Sequence, residues 1–299
     1  MKKSSVKFWG VRGSIPVPGP ETLRTGGNTS CVEVRADGEI IILDAGTGIR
    51  PLGLSLAKEF DGIPLNLTLL ISHTHWDHIQ GFPFFLPAYN PANKLHIRGY
   101  EGARAKFSSI LSAQMESPYF PVEMDGLPAN IDVEELKEFE FSIGAVKVKS
   151  RLLNHPGVCA GYRLETSGGS VAYLPDTEPQ VEMRTALQAT GKAQSAETLE
   201  RARREDAALV EFIRGVDALI IDSQYTAAEY RDHVGWGHAS AETVTRLAMR
   251  AQVKRLFLFH HDPGHDDHQI DALVKETRKM AQGSNLIVDA AREGLLVEL

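Results

Sequence analysis

The stretch His73-Thr74-His75-Trp76-Asp77-His78 places three histidines and one aspartate within six residues. It follows residues 65–72, a short apolar run that predicts a buried β-strand. From the turn after a strand, these four side chains can converge on adjacent points. Imidazole and carboxylate groups together suit Zn²⁺, Mn²⁺ or Fe²⁺, and bringing such polar groups together needs a compensating partner. The stretch therefore predicts a metal site.

Further candidate ligands lie where other predicted strands end. His155 follows the predicted strand 146–153, Asp176 follows 171–174, and His260 follows 255–259. From these residues alone, a purely structural role for His155 and Asp176 is equally open. His260 is adjacent to His261, so position alone does not say which of the two is a ligand.

The rest of the chain alternates between strand and helix patterns. Strands are predicted both in hairpins and between helices, including short buried strands at residues 39–43 and 218–222, which indicates a mixed α/β class. Helices are predicted at residues 51–60, 101–115, 241–251 and 271–282, with Ser240 as an N-cap, and residues 178–215 have a mostly helical pattern. No internal repeat or linker is evident, so residues 1–299 are predicted to form one domain.

Composition narrows the class of protein further. The formal net charge is 32 − 39 = −7, which disfavours stable binding of long nucleic acid. A small anionic substrate stays compatible, because bound metal ions reverse the local sign of charge. Cys31 and Cys159 are interpreted as reduced thiols, too few for a disulfide framework. No run approaches 18 apolar residues, so no membrane helix is predicted and a cytoplasmic location is expected.

At this point the sequence resembles a known family. The motif at residues 73–78 is similar to the signature of the metallo-β-lactamase-fold hydrolases, and the likeness extends from Phe8 to Leu299. The resemblance implies a four-layer αββα sandwich with two divalent metal ions, Zn²⁺ or Mn²⁺ with Fe²⁺ as a further candidate, at one edge between the sheets. Asp44, in Leu43-Asp44-Ala45-Gly46-Thr47-Gly48, matches a family motif whose carboxylate supports the site from behind its ligands.

The resemblance also implies a division of ligands between the two metals. The first metal takes His73, His75 and His155, the second takes Asp77, His78 and His260, and Asp176 bridges both. His260 is preferred because it directly follows a strand, and His261 is the alternative. Antibiotic-cleaving members generally carry cysteine at the bridging position, so Asp176 argues against a β-lactamase.

A second motif narrows the branch of the family. Gly237-His238-Ala239-Ser240 is similar to a motif of the phosphodiesterase branch, which includes ribonuclease Z. The resemblance implies that His238 is a general acid and Asp222 its carboxylate partner, with Asp77 completing the catalytic set. The alternatives are an ordinary histidine at a helix start and a carboxylate making a local turn contact.

The opening residues point to small substrates. Residues 8–16 and 26–31 resemble bacterial and phage members that cleave cyclic nucleotides, including the anti-Pycsar phosphodiesterases. Arg12 and Asn28 are candidate substrate contacts, and a salt bridge to a neighbour is an equal alternative for Arg12. Aromatic candidates for stacking a base are Trp9, Phe82, Phe84, Phe85, Tyr119, Phe120 and Trp236.

Together these features predict a binuclear-metal phosphodiesterase acting on a small nucleotide, in particular a 3′,5′-cyclic nucleotide, and the branch suggests a homodimer. The runner-up is an RNA-processing nuclease of the ribonuclease Z type. That enzyme carries a Gly/Pro-rich arm, and none lies between His155 and Asp222. A thioester hydrolase of the glyoxalase II kind is disfavoured by the motif around His238. A nucleotide-binding sponge without turnover is disfavoured by the complete ligand set.

Overall fold

In the part of the chain that the structure describes, fourteen strands form two seven-stranded sheets. The computed structural model describes residues 4–100 and 106–299. In spatial order, the first sheet contains β14 (Leu296–Glu298), β1 (Ser5–Gly10), β2 (Cys31–Ala36), β3 (Glu39–Leu43), β4 (Asn66–Leu70), β5 (Lys94–Tyr100) and β6 (Asn130–Leu136). The second contains β13 (Ile287–Ala290), β12 (Arg255–Phe259), β11 (Ala218–Asp222), β10 (Ser170–Leu174), β9 (Ala160–Glu165), β8 (Val146–Leu152) and β7 (Glu140–Ile143).

Helices flank both sheets, and the four-residue helix at Trp76–Ile79 carries Asp77 and His78 at the edge between them. The helices are α1 (Ile49–Glu59), α2 (Trp76–Ile79), α3 (Phe107–Ala113), α4 (Gln180–Ala189), α5 (Ala196–Phe212), α6 (Ala241–Arg250) and α7 (Asp267–Met280). The side chain of Ser240 caps α6 by accepting a hydrogen bond from the Thr243 amide, as predicted. No helix within the described residues combines the length and apolar character needed to cross a bilayer.

Three apolar cores hold the layers together. One lies between the sheets and joins Phe8 of the first sheet to Tyr173 and Phe259 of the second. Another packs α1 and α3 against the first sheet, for example through Leu52. The last packs the second sheet against α6 and α7, for example through Leu247. The predicted four-layer αββα sandwich is confirmed.

The parallel parts of each sheet determine where functional side chains gather. β3 and β4 are parallel, as are β10, β11 and β12. The carboxyl ends of parallel strands lie at the same edge of a sheet, where connecting loops form crevices. The segments that follow β4, β10 and β12 therefore carry the candidate ligands to a common edge.

The predicted elements agree with the structure in most places. Residues 39–43, 218–222 and 255–259 are strands with the predicted bounds. The helix expected at residues 101–115 is present as α3, and residues 101–105 lie outside the described part. One strand was missed: β6 has half-exposed and exposed residues along its length, so it lacks a strong apolar signal, and it forms by parallel pairing with β5.

Candidate metal centre

Two groups of side chains meet at the edge between the sheets. In the first group, His73, His75, His155 and Asp176 each place one ligand atom within 4.8 Å of the others. His155 Nε2 lies 3.1 Å from His75 Nδ1, and His73 Nε2 lies 3.6 Å from Asp176 Oδ2. His73 and Asp176 are buried, whereas His75 is exposed. The group is thus open to solvent on one side.

The second group shares one carboxylate with the first. Asp77, His78, Asp176 and His260 meet the same 4.8 Å limit and are all buried. His260 Nε2 lies 3.0 Å from Asp77 Oδ2, and His78 Nε2 lies 3.1 Å from Asp176 Oδ1. Asp176 turns Oδ2 to the first group and Oδ1 to the second. This is the arrangement that a bridging carboxylate requires.

The chemistry of these groups fits two divalent cations. The buried atoms His73 Nε2, His78 Nε2 and Asp176 Oδ1 make no hydrogen bond, although buried polar atoms nearly always have a partner. Burial lowers the pKa of His78, but the carboxylates of Asp176 and Asp77 outweigh burial and raise it well above its usual value. The surroundings therefore stabilise positive charge where these unpaired lone pairs meet, and the mixed nitrogen and oxygen donors suit transition metals.

Asp44 supports the ligands from behind. Its carboxylate accepts hydrogen bonds from the Ser72 amide and hydroxyl at 2.7 and 2.8 Å, and lies 2.7 Å from His78 Nδ1. The hydroxyl of Tyr173 on β10 also donates to it at 2.7 Å. These contacts fix the ring of His78 so that Nε2 faces the cluster. Sequence reasoning identified Asp44 but not Tyr173, because Tyr173 comes from the opposite sheet.

His238 and Asp222 form a pair beside the clusters. His238 Nδ1 donates to Asp222 Oδ2 at 2.7 Å, and its ring stacks on His260 with centroids 4.9 Å apart. Burial lowers the pKa of His238, but the nearby Asp222 carboxylate outweighs burial and raises it to about 9. The amides of Thr177 and Gln224 hold the Asp222 carboxylate in place. The pair can therefore carry and deliver a proton.

Besides Tyr173, two further supporting residues were missed by sequence reasoning. Gln224 Oε1 lies 3.1 Å from His260 Nδ1 and orients that ring. Glu178 accepts from the amides of Gly235 and Gly237 at 2.8 and 3.1 Å, which fixes the loop before His238. Gln224 lies two residues after Asp222, and this closeness to a predicted site residue is the only feature of the sequence that could have identified it. No neighbouring motif could have identified Glu178, because its partners lie 57 and 59 residues away in the chain.

The adjacent residues His260 and His261 have different contacts in the structure. His260 lies in the second group, whereas His261 Nε2 donates to the Ala291 carbonyl at 3.0 Å. Burial of His261 lowers its pKa to about 3, so its ring is neutral. The structure therefore favours His260 as the ligand.

The structure places Arg12 in the protein interior. Its side chain is fully buried and donates to three backbone carbonyls: Gly26 at 2.8 Å, His265 at 2.7 Å and Asp262 at 3.2 Å. Among the described residues it has no ion pair with a carboxylate, and its hydrogen bonds tie residues 13–28 to the loop after β12. The side-chain amide of Asn28 likewise donates to Glu293 at 3.0 Å.

Comparison with known families agrees with the geometry. A family model described as a beta-lactamase superfamily domain matches residues 40–196, which is more than half of the chain. The chain belongs to the metallo-β-lactamase superfamily and is a metal-dependent hydrolase of that fold. The predicted family is thereby confirmed.

Three similar proteins show how distant the relatives are. Ribonuclease Z of Picrophilus torridus is 24% identical, with 94% of this chain and 92% of that protein aligned. The metallo-beta-lactamase fold protein YhfI from Bacillus subtilis has a TM-score of 0.69 and 17% identity, covering 100% of both chains. Human short-form tRNase Z has a TM-score of 0.62 and 18% identity, covering 98% of both. The two solved structures show a shared fold.

Proposed function

We propose that this hydrolase cleaves the phosphodiester bond of a small nucleotide, in particular a 3′,5′-cyclic nucleotide. The observation that carries the proposal is the His238–Asp222 pair, with His238 Nδ1 2.7 Å from Asp222 and its ring stacked on His260. Phosphodiester cleavage needs a proton for the departing oxygen, and this pair lies where it could supply one. The relative named ribonuclease Z supports the bond type, because RNA is joined by phosphodiesters.

The positions of the site residues imply different roles in the proposed reaction. His73, His75 and His155 would hold one divalent ion, Asp77, His78 and His260 the other, with Asp176 shared. Such ions lower the pKa of water and offset charge that builds on phosphate oxygens. Asp222 holds His238 through Nδ1, which leaves Nε2 available to protonate the leaving ribose oxygen. Asp77 fixes the ring of His260 and accepts from the Ser14 amide, which anchors the adjoining loop.

A small substrate is favoured over a long RNA. The net charge of −7 gives no electrostatic advantage to a polyanion. The segments at residues 8–16 and 26–31, which resemble those of cyclic-nucleotide-cleaving members, lie against the site: Gly13 faces the His260 ring. A ribonuclease of the kind named by the relatives is the second candidate, because the likeness covers 94% of this chain.

A substrate panel tests the reaction class. Zn²⁺- or Mn²⁺-loaded protein is incubated with 3′,5′-cyclic nucleotides, a precursor transfer RNA, bis(p-nitrophenyl) phosphate and S-lactoylglutathione, and products are separated by chromatography. Metal-dependent opening of a cyclic nucleotide is expected. Cleavage of the RNA alone would establish the nuclease instead, and cleavage of the thioester alone would reject phosphodiesterase activity.

The role of His238 is tested by His238→Ala. Loss of a general acid lowers kcat by about 10²–10⁴-fold, while metal content measured by elemental analysis should stay at the wild-type value. His268→Ala, an exposed histidine on α7, is the matched control and should leave both unchanged. Because Asp222, His238 and His260 also lie close enough to hold an ion, loss of metal in His238→Ala would make His238 a ligand and refute its role as the acid.

A further inference from the structure

A cleft apart from the metal centre lies on the outer surface of the helices that flank the second sheet. It has a volume of about 980 Å³ and lies between α4, α5, α6 and residues 227–234. None of the residues in the three His/Asp groups lines it. The cleft is therefore a separate feature that the proposed reaction does not use.

Helical periodicity brings arginines from several elements to this cleft. On α5, Arg203 and Arg204 lie three and four residues after Glu200. Residues at these spacings are neighbours on a helix surface, so all three line the cleft. On α6, Arg246 and Arg250 share a face in the same way. With Arg231 from the connecting segment, five guanidinium groups line the cleft.

Within the described residues these arginines have few internal partners, in a chain whose net charge is −7. Within the described residues, Arg203 has one carboxylate nearby, Glu200 at 3.4 Å. Arg246 donates to the Thr243 hydroxyl at 2.9 Å. The other three, Arg204, Arg231 and Arg250, have no ion pair or side-chain hydrogen bond in that part of the chain. The positive charge is therefore available to a ligand.

The acidic residues of the cleft are engaged elsewhere. Asp206 accepts from the amides of Gln180 and Val181 at 2.8 and 2.9 Å, so it caps the start of α4. Glu182 accepts from the hydroxyls of Ser240 and Thr243. Burial raises the pKa of both carboxyls, although Arg250 near Asp206 and Arg246 near Glu182 partly oppose the shift. Within the described residues, neither carboxylate forms an ion pair with an arginine of the cleft.

Between the arginines the cleft is apolar. Val181 and Ala186 of α4, Ala207 of α5 and Leu247 of α6 contribute to its lining. No residue of α4 is fully buried, although its sequence has an apolar face. Part of that face is thus uncovered and available for contact with an apolar molecule.

We propose that this cleft binds a small organic anion with an apolar or aromatic body and a phosphate, sulfonate or carboxylate group. Guanidinium groups bind such oxyanions with paired hydrogen bonds, and the apolar lining accommodates the body. The volume lies within the range of small-molecule sites. The apolar lining and interleaved carboxylates disfavour a nucleic-acid backbone, which needs a continuous basic track. This proposal stands independently of the reaction at the metal centre.

The test uses a fluorescent anion of this chemistry on the full-length chain. 8-Anilinonaphthalene-1-sulfonate is titrated by fluorescence, and N-phenyl-1-naphthylamine, which has the same apolar body without the charge, is titrated in parallel. The variant is Arg204→Gln with Arg250→Gln. Its matched control is Arg50→Gln with Arg201→Gln, which changes two exposed arginines that do not line the cleft.

We expect the cleft variant to weaken binding of the sulfonate at least tenfold and to leave binding of the neutral probe unchanged, with no effect of the control variant. Equal loss in both variants, or no saturable binding to wild type, overturns the proposal. Displacement of the probe by a single-stranded RNA with a steep salt dependence would make the cleft a nucleic-acid surface. A dimer that the cleft variant converts to monomer by size-exclusion chromatography would make it a subunit interface instead.

Discussion

Two residues of the metal centre take backbone conformations that side chains other than glycine rarely adopt. Asp44 has φ 63° and His260 has φ 58°. Such conformations cost of order 1–3 kcal/mol and persist only where the surroundings enforce them. Here the enforcing contacts are the hydrogen bonds of Asp44 to Ser72 and Tyr173, and those of His260 to Gln224 and Asp77. Both backbones turn sharply at a strand end, which directs the side chains to the cluster.

Close packing on His260 gives a prediction for Gly13. A Cβ at Gly13 would lie 2.5 Å from two atoms of the His260 ring, so Gly13→Ala must displace that ring. Metal affinity or turnover should fall about 10–100-fold, as for other residues that orient a ligand. Metal titration with calorimetry measures the change. Gly19→Ala, in the same loop with no atom within 4 Å, is the control. Unchanged metal affinity in Gly13→Ala would show that the ring position is not critical.

The shared carboxylate gives a second prediction at this scale. Asp176→Ala removes the oxygen atoms that both groups share, so the protein should retain at most one metal ion per chain by elemental analysis. Asp232→Ala, which alters an exposed acid in the described part of the chain, is the control and should keep the wild-type content. If Asp176→Ala bound two ions and kept full activity, a bridging role for Asp176 would be rejected.

At the scale of elements, the helix after the His260 loop has a complete capping box. Asp266 accepts from the Gln269 amide, and the Gln269 side chain accepts from the Asp266 amide. The next residue, Asp267, accepts from the amides of Arg24 and Thr25 and so joins α7 to the long loop before β2. The start of α7 therefore supports the loop that lies over the site.

Loss of this cap should destabilise the chain measurably. Asp266→Ala removes the acceptor for the Gln269 amide and should lower the free energy of unfolding by about 1 kcal/mol. Urea denaturation followed by circular dichroism measures it. His268→Ala, an exposed change in the same first turn, keeps the cap and should have little effect. Equal stability of Asp266→Ala and the wild type would show that solvent replaces the cap.

At the scale of the whole molecule, the metal centre joins the two sheets. His73, His75, Asp77 and His78 follow β4 of the first sheet, whereas His155, Asp176 and His260 follow strands of the second. Ions held by both sets would link the sheets at one edge. The apolar core between the sheets holds the remainder of this interface.

Metal removal should therefore lower thermal stability. A ligand present at 1,000 times its Kd stabilises the folded state by about 4 kcal/mol, which corresponds to on the order of 10 °C in Tm for a chain of this size. Differential scanning calorimetry before and after treatment with a chelator measures the shift, and Zn²⁺ or Mn²⁺ should restore it. Asp176→Ala should show a smaller shift. An identical Tm with and without metal would contradict a link between the sheets.

Features that depend on local pattern were predictable from the order of the amino acids. The six residues 73–78 indicated a metal site because their ligands are contiguous, and the strands 39–43, 218–222 and 255–259 were delimited by short apolar runs. The ends of other predicted strands supplied His155, Asp176 and His260 as further candidates, and resemblance to a family divided the ligands between two metals; the structure brings these residues together.

Features that depend on residues far apart in the chain became visible in the folded structure. It separated His260 from His261, buried Arg12 against backbone carbonyls, and revealed Tyr173 and Glu178 as supports. Asp77 and His260, for example, meet across 183 residues. Such contacts follow from how the sheets pack and where their strands end. A pattern of neighbouring residues does not predict these long-range contacts, because helical and strand periodicities extend over only a few residues.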